Sequence, residues 1–208
     1  AELLAIDSLD PHLANARTRI MSLMFDSLFS YRLKPGTTDE FELGYELATG
    51  FEETSETTAR MTLRQGVKFH DGSDLTAEVV KWNLERARDH EKSAVQTSVS
   101  ELVNVTVVDD HTLDLEFKSP QPLFRLTMTA ANATNVYIVS KQAVESMGDE
   151  AFAHKPVGSG PYAVENWLVD DRVELVAFSG HWESGLDGKP LPYADRFTIR
   201  PALRHVRL

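Results

Sequence analysis

The chain has 208 residues, with 21 Lys plus Arg against 32 Asp plus Glu and a formal charge of −11; such a surface disfavours phosphate backbones and anionic membrane faces as partners. Hydrophobic residues at 42% and charged residues at 25% exclude disorder and set one large domain or two small ones, long enough to bury a core. The absence of cysteine removes disulfides, thiol catalysis and thiolate metal sites together, and no apolar run approaches the roughly 20 residues that span a bilayer.

Residues Ala1 to Asp10 lack the basic start and apolar stretch of a signal peptide, and an opening on Ala1 permits one already removed. Leu9-Asp10-Pro11-His12 breaks regular structure, because Pro11 pushes Asp10 toward an extended conformation. A loop runs from there to about Arg17. Ile20, Leu23, Met24 and Leu28 then mark one face of a core-facing helix, which the spacing carries to a Lys34-Pro35-Gly36 turn.

Alternation in Thr58 to Val67, with Ala59, Met61 and Leu63 against Arg60, Thr62 and Arg64, predicts a half-buried strand. Turn residues follow in Phe69 to Asp74. Thr76 is placed as the N-cap of a helix with Glu78 in its first turn and a stripe of Val80, Asn83, Leu84 and Ala87. Val103 to Val107, a turn at Asp109-Asp110-His111 and Leu113 to Phe117 make one hairpin; Tyr162 to Trp167, a turn at Asp170-Asp171 and Val173 to Phe178 make a second. Between them the sequence predicts a short helix at Leu123 to Met128, an apolar strand at Val136 to Val139 and a helix after Ser140. Hairpins mixed with helices argue for an α/β fold with mixed sheets.

The seven histidines, His12, His70, His90, His111, His154, His181 and His205, show none of the spacings that converge on a metal, so neither a metal nor another cofactor is expected. Asp109, Asp110 and His111 are the one trio that could serve a hydrolase, but a hairpin tip lacks the buried cleft that tunes catalytic groups. Gly158-Ser159-Gly160-Pro161 is not a nucleophile elbow, since its glycines flank the serine directly and Pro161 leads into a strand. Phosphate-binding glycine loops are absent from the sequence.

Four segments in order resemble the family 5 extracytoplasmic solute-binding proteins of ABC importers, the group that includes peptide and nickel receptors. They are Leu9-Asp10-Pro11-His12 with Phe25-Asp26-Ser27-Leu28 and Glu46-Leu47-Ala48; Leu63 to Gly72 leading to Leu75-Thr76-Ala77-Glu78-Val79-Val80; Pro156 to Tyr162 with Trp167; and Gly188 to Asp195 closing on the strand Phe197 to Arg200. In physical terms these motifs read as scaffold, Asp71-Gly72 as a tight turn, and Gly158 and Gly160 as backbone angles closed to residues with a Cβ.

The resemblance implies a class II periplasmic-binding-protein-like fold. A core segment at 1–40, an inserted subdomain at 41–154 and a return to the core at 155–208 would form part of a first lobe. It implies a monomeric, non-enzymatic receptor outside the cytoplasm that encloses a small molecule or peptide between two lobes and delivers it to an ABC membrane permease. Peptide heads the expected ligands, ahead of nickel complexes, opines and oligosaccharides; a hydrolase using Asp109, Asp110 and His111, or a sensor or chaperone-like module, is the alternative. The cleft-facing positions implied are Asn15, Arg17 and Thr18 in the loop after His12, and Asn132 and Asn135 ahead of Val136. Arg17 suits a ligand carboxylate. Family members are considerably longer, so a second lobe is expected to be missing from these 208 residues, and Pro201 to Leu208 reads as a truncation edge or cloning scar.

Overall fold

The computed structural model describes residues 8–14, 20–34, 36–169 and 171–200. Its centre is an antiparallel sheet in the order β3 (Ala48–Glu53), β4 (Thr58–Leu63), β6 (Thr112–Phe117) and β5 (Leu102–Asp109). The period-2 pattern settles which way β4 faces: Ala59, Met61 and Leu63 are buried, while Arg60 points outward and forms a forked pair with Asp114 on β6 at 2.7 and 2.8 Å. Helix α2 (Ala77–Asp89) covers the inner face with Val80, Leu84 and Ala87. It starts where the sequence places it, the Thr76 hydroxyl accepting the Val79 N–H at 3.3 Å. Glu78 in its first turn and Arg86 and Arg88 in its last complement the helix dipole.

Two further sheets flank this core. β1 (Phe29–Leu33) and β2 (Phe41–Tyr45) form a two-stranded ribbon. β7 (Tyr162–Leu168), β8 (Arg172–Ala177) and β9 (Arg196–Ile199) form a three-stranded sheet. Short helices α1 (Met21–Met24), α3 (Phe124–Thr127), α4 (Lys141–Met147) and α5 (Asp149–His154) fill the seams. The buried side chains fall into two clusters, one built on α2 and the four-stranded sheet, the other on Leu9, Ile20 to Phe25, Val139 to Phe152 and the inner face of β7 and β8.

Three local expectations are corrected. The helix predicted up to Lys34 is a single turn ending at Met24, and Phe29 to Leu33 is a strand. Beyond Met24 the carbonyls find partners elsewhere, Met24 accepting from Gly160 N–H at 3.0 Å and Asp26 from Ile138 N–H at 3.1 Å. Val136 to Val139 is extended chain outside any sheet. Its polar groups are met by a side chain, for Asn83 Oδ1 accepts from Val139 N–H at 2.9 Å and Asn83 Nδ2 donates to the Val139 carbonyl at 2.9 Å. Gly158 and Gly160 are required for space and not for backbone angle, since a Cβ would lie 2.1 Å from the Met24 oxygen at Gly158 and 2.5 Å from the Met24 carbonyl carbon at Gly160. Gly72, by contrast, does take the positive φ of a tight turn, +83°.

Candidate functional site

Two of the implied site segments are joined directly. His12 lies in the turn that Asp10 organises, its N–H bonded to Asp10 Oδ1 at 2.9 Å, and its Nε2 reaches the carbonyl of Tyr137 at 2.7 Å. Arg86, from the last turn of α2, donates Nη1 to His12 Nδ1 at 3.0 Å and holds Asp10 in a fork at 3.2 and 2.7 Å. Because a guanidinium only donates, Nδ1 must be the acceptor and Nε2 the N–H that bonds Tyr137. The ring is therefore neutral, and burial holds its pKa down at about 4 despite Asp10 beside it. Asp149 Oδ1 takes the remaining side of Arg86 at 2.7 Å, and its Oδ2 meets His90 Nε2 at 3.0 Å. This network fixes Leu9 to Ala14; the expected site residues Asn15, Arg17 and Thr18 lie outside the described residues.

Asn132 and Asn135 have different roles. Asn132 is tied into its own turn, donating Nδ2 to the Thr127 carbonyl at 2.9 Å and bonding Thr134 through Oδ1. Asn135 is buried, donates Nδ2 to Ser27 Oγ at 2.8 Å, and leaves Oδ1 buried with no partner. A buried acceptor without a donor costs on the order of 1–3 kcal/mol and calls for an explanation. Next to it burial pushes the Tyr137 phenol up to about 12, against a hydrogen bond from the Asn135 side chain.

A third segment arrives that the sequence reading missed. Ala94 N–H bonds the His12 carbonyl at 2.8 Å, and Ser98 Oγ bonds the Thr134 carbonyl at 2.8 Å. The stretch from Ala94 to Ser98 therefore borders both other segments, with Gln96 and Thr97 exposed beside them. Its only sequence signal is a polar run without periodicity, which any surface loop shares.

Beneath these segments lies a knot of acids. Asp26 Oδ2 accepts from Ser159 Oγ and from Trp182 Nε1, both at 2.9 Å. Burial pushes the Asp26 carboxyl up against those bonds, and burial followed by the charge of Asp26 pushes Glu46 up to about 8. Arg32 joins Glu46 at 3.7 Å and is also bonded to Glu183. Glu183 is held down at about 2, by His181, whose Nε2 stands 3.9 Å away, and by Arg32. Arg64 stacks 4.1 Å from the Trp182 ring and donates Nε to the Glu46 carbonyl at 3.0 Å. The Gly158-Ser159-Gly160 segment thus acts as scaffold: Ser159 is a buried hydrogen-bond donor to a carboxylate.

Asp109, Asp110 and His111 form the turn that joins β5 to β6. Asp109 Oδ1 accepts from the His111 N–H at 2.8 Å as an Asx turn, and the Asp110 carbonyl accepts from Ala77 N–H at 2.8 Å where α2 begins. Asp109 and Asp110 are exposed and His111 is half-buried. Among the described residues no group of three or more His, Asp or Glu side chains could hold a metal ion, and no helix is long and apolar enough to cross a membrane. The converging segments present amide and hydroxyl groups close together.

The profile of the bacterial extracellular solute-binding proteins, family 5 Middle, matches residues 42–205. The glutathione-binding protein GsiB of Salmonella paratyphi A is 34% identical over 198 residues, 93% of this chain and 36% of that protein. Among solved structures, MoaA from A. tumefaciens R10 in complex with mannopinic acid is 27% identical with a TM-score of 0.78, covering 94% of this chain and 38% of that one. NikZ from Campylobacter jejuni in complex with Ni(L-His), at 19% identity and a TM-score of 0.78, shares the fold over 94% of this chain and 37% of its own. The chain thus spans about a third of the length of the relatives it matches.

Proposed function

The chain belongs to the family 5 bacterial extracellular solute-binding proteins, and on that premise we propose that it contributes the first lobe of a receptor that captures a small peptide outside the cytoplasm and delivers it to an ABC import permease. The observation that carries the reading is the meeting of three segments, around His12, Ala94 to Ser98 and Asn132 to Tyr137, held together by hydrogen bonds from His12 to the Tyr137 carbonyl, from Ala94 to the His12 carbonyl and from Ser98 to the Thr134 carbonyl. In this reading Arg17 supplies a cation for a ligand carboxylate, and the polar side chains of the three segments supply hydrogen bonds to a peptide backbone. Relatives named glutathione-binding protein support a short peptide ahead of a nickel complex, an opine or an oligosaccharide. The receptor acts as a monomer without covalent chemistry; the ligand is held by enclosure between lobes.

The division into core at 1–40, insert at 41–154 and returning core at 155–208 is part of the same proposal. It is supported by the two buried clusters, although Val139 to Phe152 packs with the core pieces and not with the insert.

Isothermal titration of the receptor with glutathione, di- to tetrapeptides, nickel–histidine and an opine tests the reading. Peptide binding that weakens tenfold or more in Asn135→Ala and in Arg17→Ala is the expected result. Saturable binding of a sugar or opine with peptides silent overturns the peptide assignment, and unchanged affinity in both variants removes these residues from the site.

A further inference from the structure

The β1–β2 ribbon carries all its large apolar side chains on one face. Phe29 pairs with Tyr45, Tyr31 with Leu43 and Leu33 with Phe41, and alternate residues of a strand share a face. Phe29 is fully buried, but Tyr45 is 40% exposed, Tyr31 45% and Phe41 56%. Beside them α3 turns Leu123 and Leu126 outward. Between ribbon and helix lies Arg125, its guanidinium 4.9 Å from the Tyr45 ring and 5.3 Å from that of Phe29. Its Nε is buried with no hydrogen-bond partner. Arg32, Arg60, Arg86, Arg88, Arg172 and Arg196 each have a carboxylate partner; among the described residues Arg125 has none, and neither has Arg64, which instead donates to the Glu46 carbonyl and stacks on Trp182.

This patch continues the core. Rings follow one another outward from Phe117 to Phe124, Phe51, Phe29 and Tyr45, with centroids 5.0 to 6.0 Å apart. A two-stranded ribbon is marginal by itself. A contiguous apolar face that runs unbroken into the interior resembles an obligate interface, a core cut in half, more than the face of a transient encounter.

We propose that this face is covered within the receptor itself, by an apolar segment lying outside residues 1–208 that carries one carboxylate to pair with Arg125. The proposal rests on the reading above that the chain is one part of a longer two-lobed receptor, since the aligned part is 93–94% of this chain but only 36–38% of the relatives. A lone cation in a chain of net charge −11 selects an anionic group on the covering segment, because desolvating a guanidinium without an anion is costly.

The test compares the 208-residue chain with the longest natural product of its gene, using Nile red, a neutral dye that brightens on apolar surface. The short chain is expected to bind it, with emission reduced by half or more in the Tyr31→Ser, Phe41→Ser double variant, and the long form is expected to stay dark. Arg125→Met is expected to lower the melting temperature of the long form by several degrees and that of the short chain by about 1 °C or less. Equal dye binding in both forms, equal shifts for Arg125→Met, or a gene that encodes nothing outside these residues overturns the proposal. So does a concentration-dependent dimer of the short chain that Phe41→Ser dissolves, which assigns the face to a second copy. Ligand titration of the long form separates the two readings: binding retained with a bright dye signal sinks only the interface, whereas no binding of any tested solute sinks the receptor reading.

Discussion

Arg86 shows how much one residue can be asked to hold. Its guanidinium joins Asp10, His12 and Asp149, and Asp10 is wholly buried. Removing it strands a buried carboxylate, and breaking such a pair costs about 3–5 kcal/mol. Arg86→Met is expected to lose that much in urea unfolding, and Asp10→Asn added to it should recover part of the loss, because the stranded charge is gone; additive losses would show that the two do not act as a pair. His12 was legible as part of a motif, but its tautomer and neutrality follow only from the guanidinium at its Nδ1.

At the scale of elements, Asn83 does for the Val136 to Val139 stretch what a neighbouring strand would do in a sheet. Asn83→Leu keeps the volume but leaves the Val139 N–H and carbonyl unpaired inside the protein. A loss of about 2–4 kcal/mol is expected from two such groups, read as a drop in denaturation midpoint at unchanged slope. Gly160→Ala should also destabilise the fold, since the new methyl meets Met24 and Phe25 backbone atoms at 2.5 to 2.8 Å and neither is a flexible side chain. Its measure is the melting temperature, and a shift within error would mean that the segment 158–161 yields. Both effects were invisible to periodicity. An asparagine on a helix stripe reads as an imperfect core position, and a glycine reads as a turn until the chain packed against it is known.

At the scale of the molecule, stability should form a dome in pH with two identifiable sides. His12 has its folded pKa lowered to about 4 from the ordinary 6.5. Its contribution is complete above pH 6.5 and is lost as pH falls toward 4, on the order of 3 kcal/mol in all. Glu46 is the reverse case, raised to about 8 from 4.5; its contribution is complete below 4.5 and is lost as pH rises through 8. Glu46→Gln carries no charge to bury, so its melting temperature should exceed the parent's at pH 8 to 9 and the gap should close toward pH 5. A gap independent of pH would remove Glu46 as the cause of the alkaline decline.

The sequence by itself determined the helix α2 with its Thr76 cap, the β5–β6 and β7–β8 hairpins and the inward face of β4, because each is written in residues near one another and in a period of 2 or 3.6. It determined the family as well, through four short motifs kept in order. Only the tertiary structure decided that the chain leaves the helix at Met24, that Asn83 pairs the backbone of Val139 and that Ala94 to Ser98 meets the segments at His12 and Thr134. It alone shows that Asp26, Glu46 and Glu183 meet in one knot. These depend on partners dozens of residues away, and the free energy that fixes them, the desolvation of charges and the pairing of buried polar groups, exists only once distant segments have excluded water from between them.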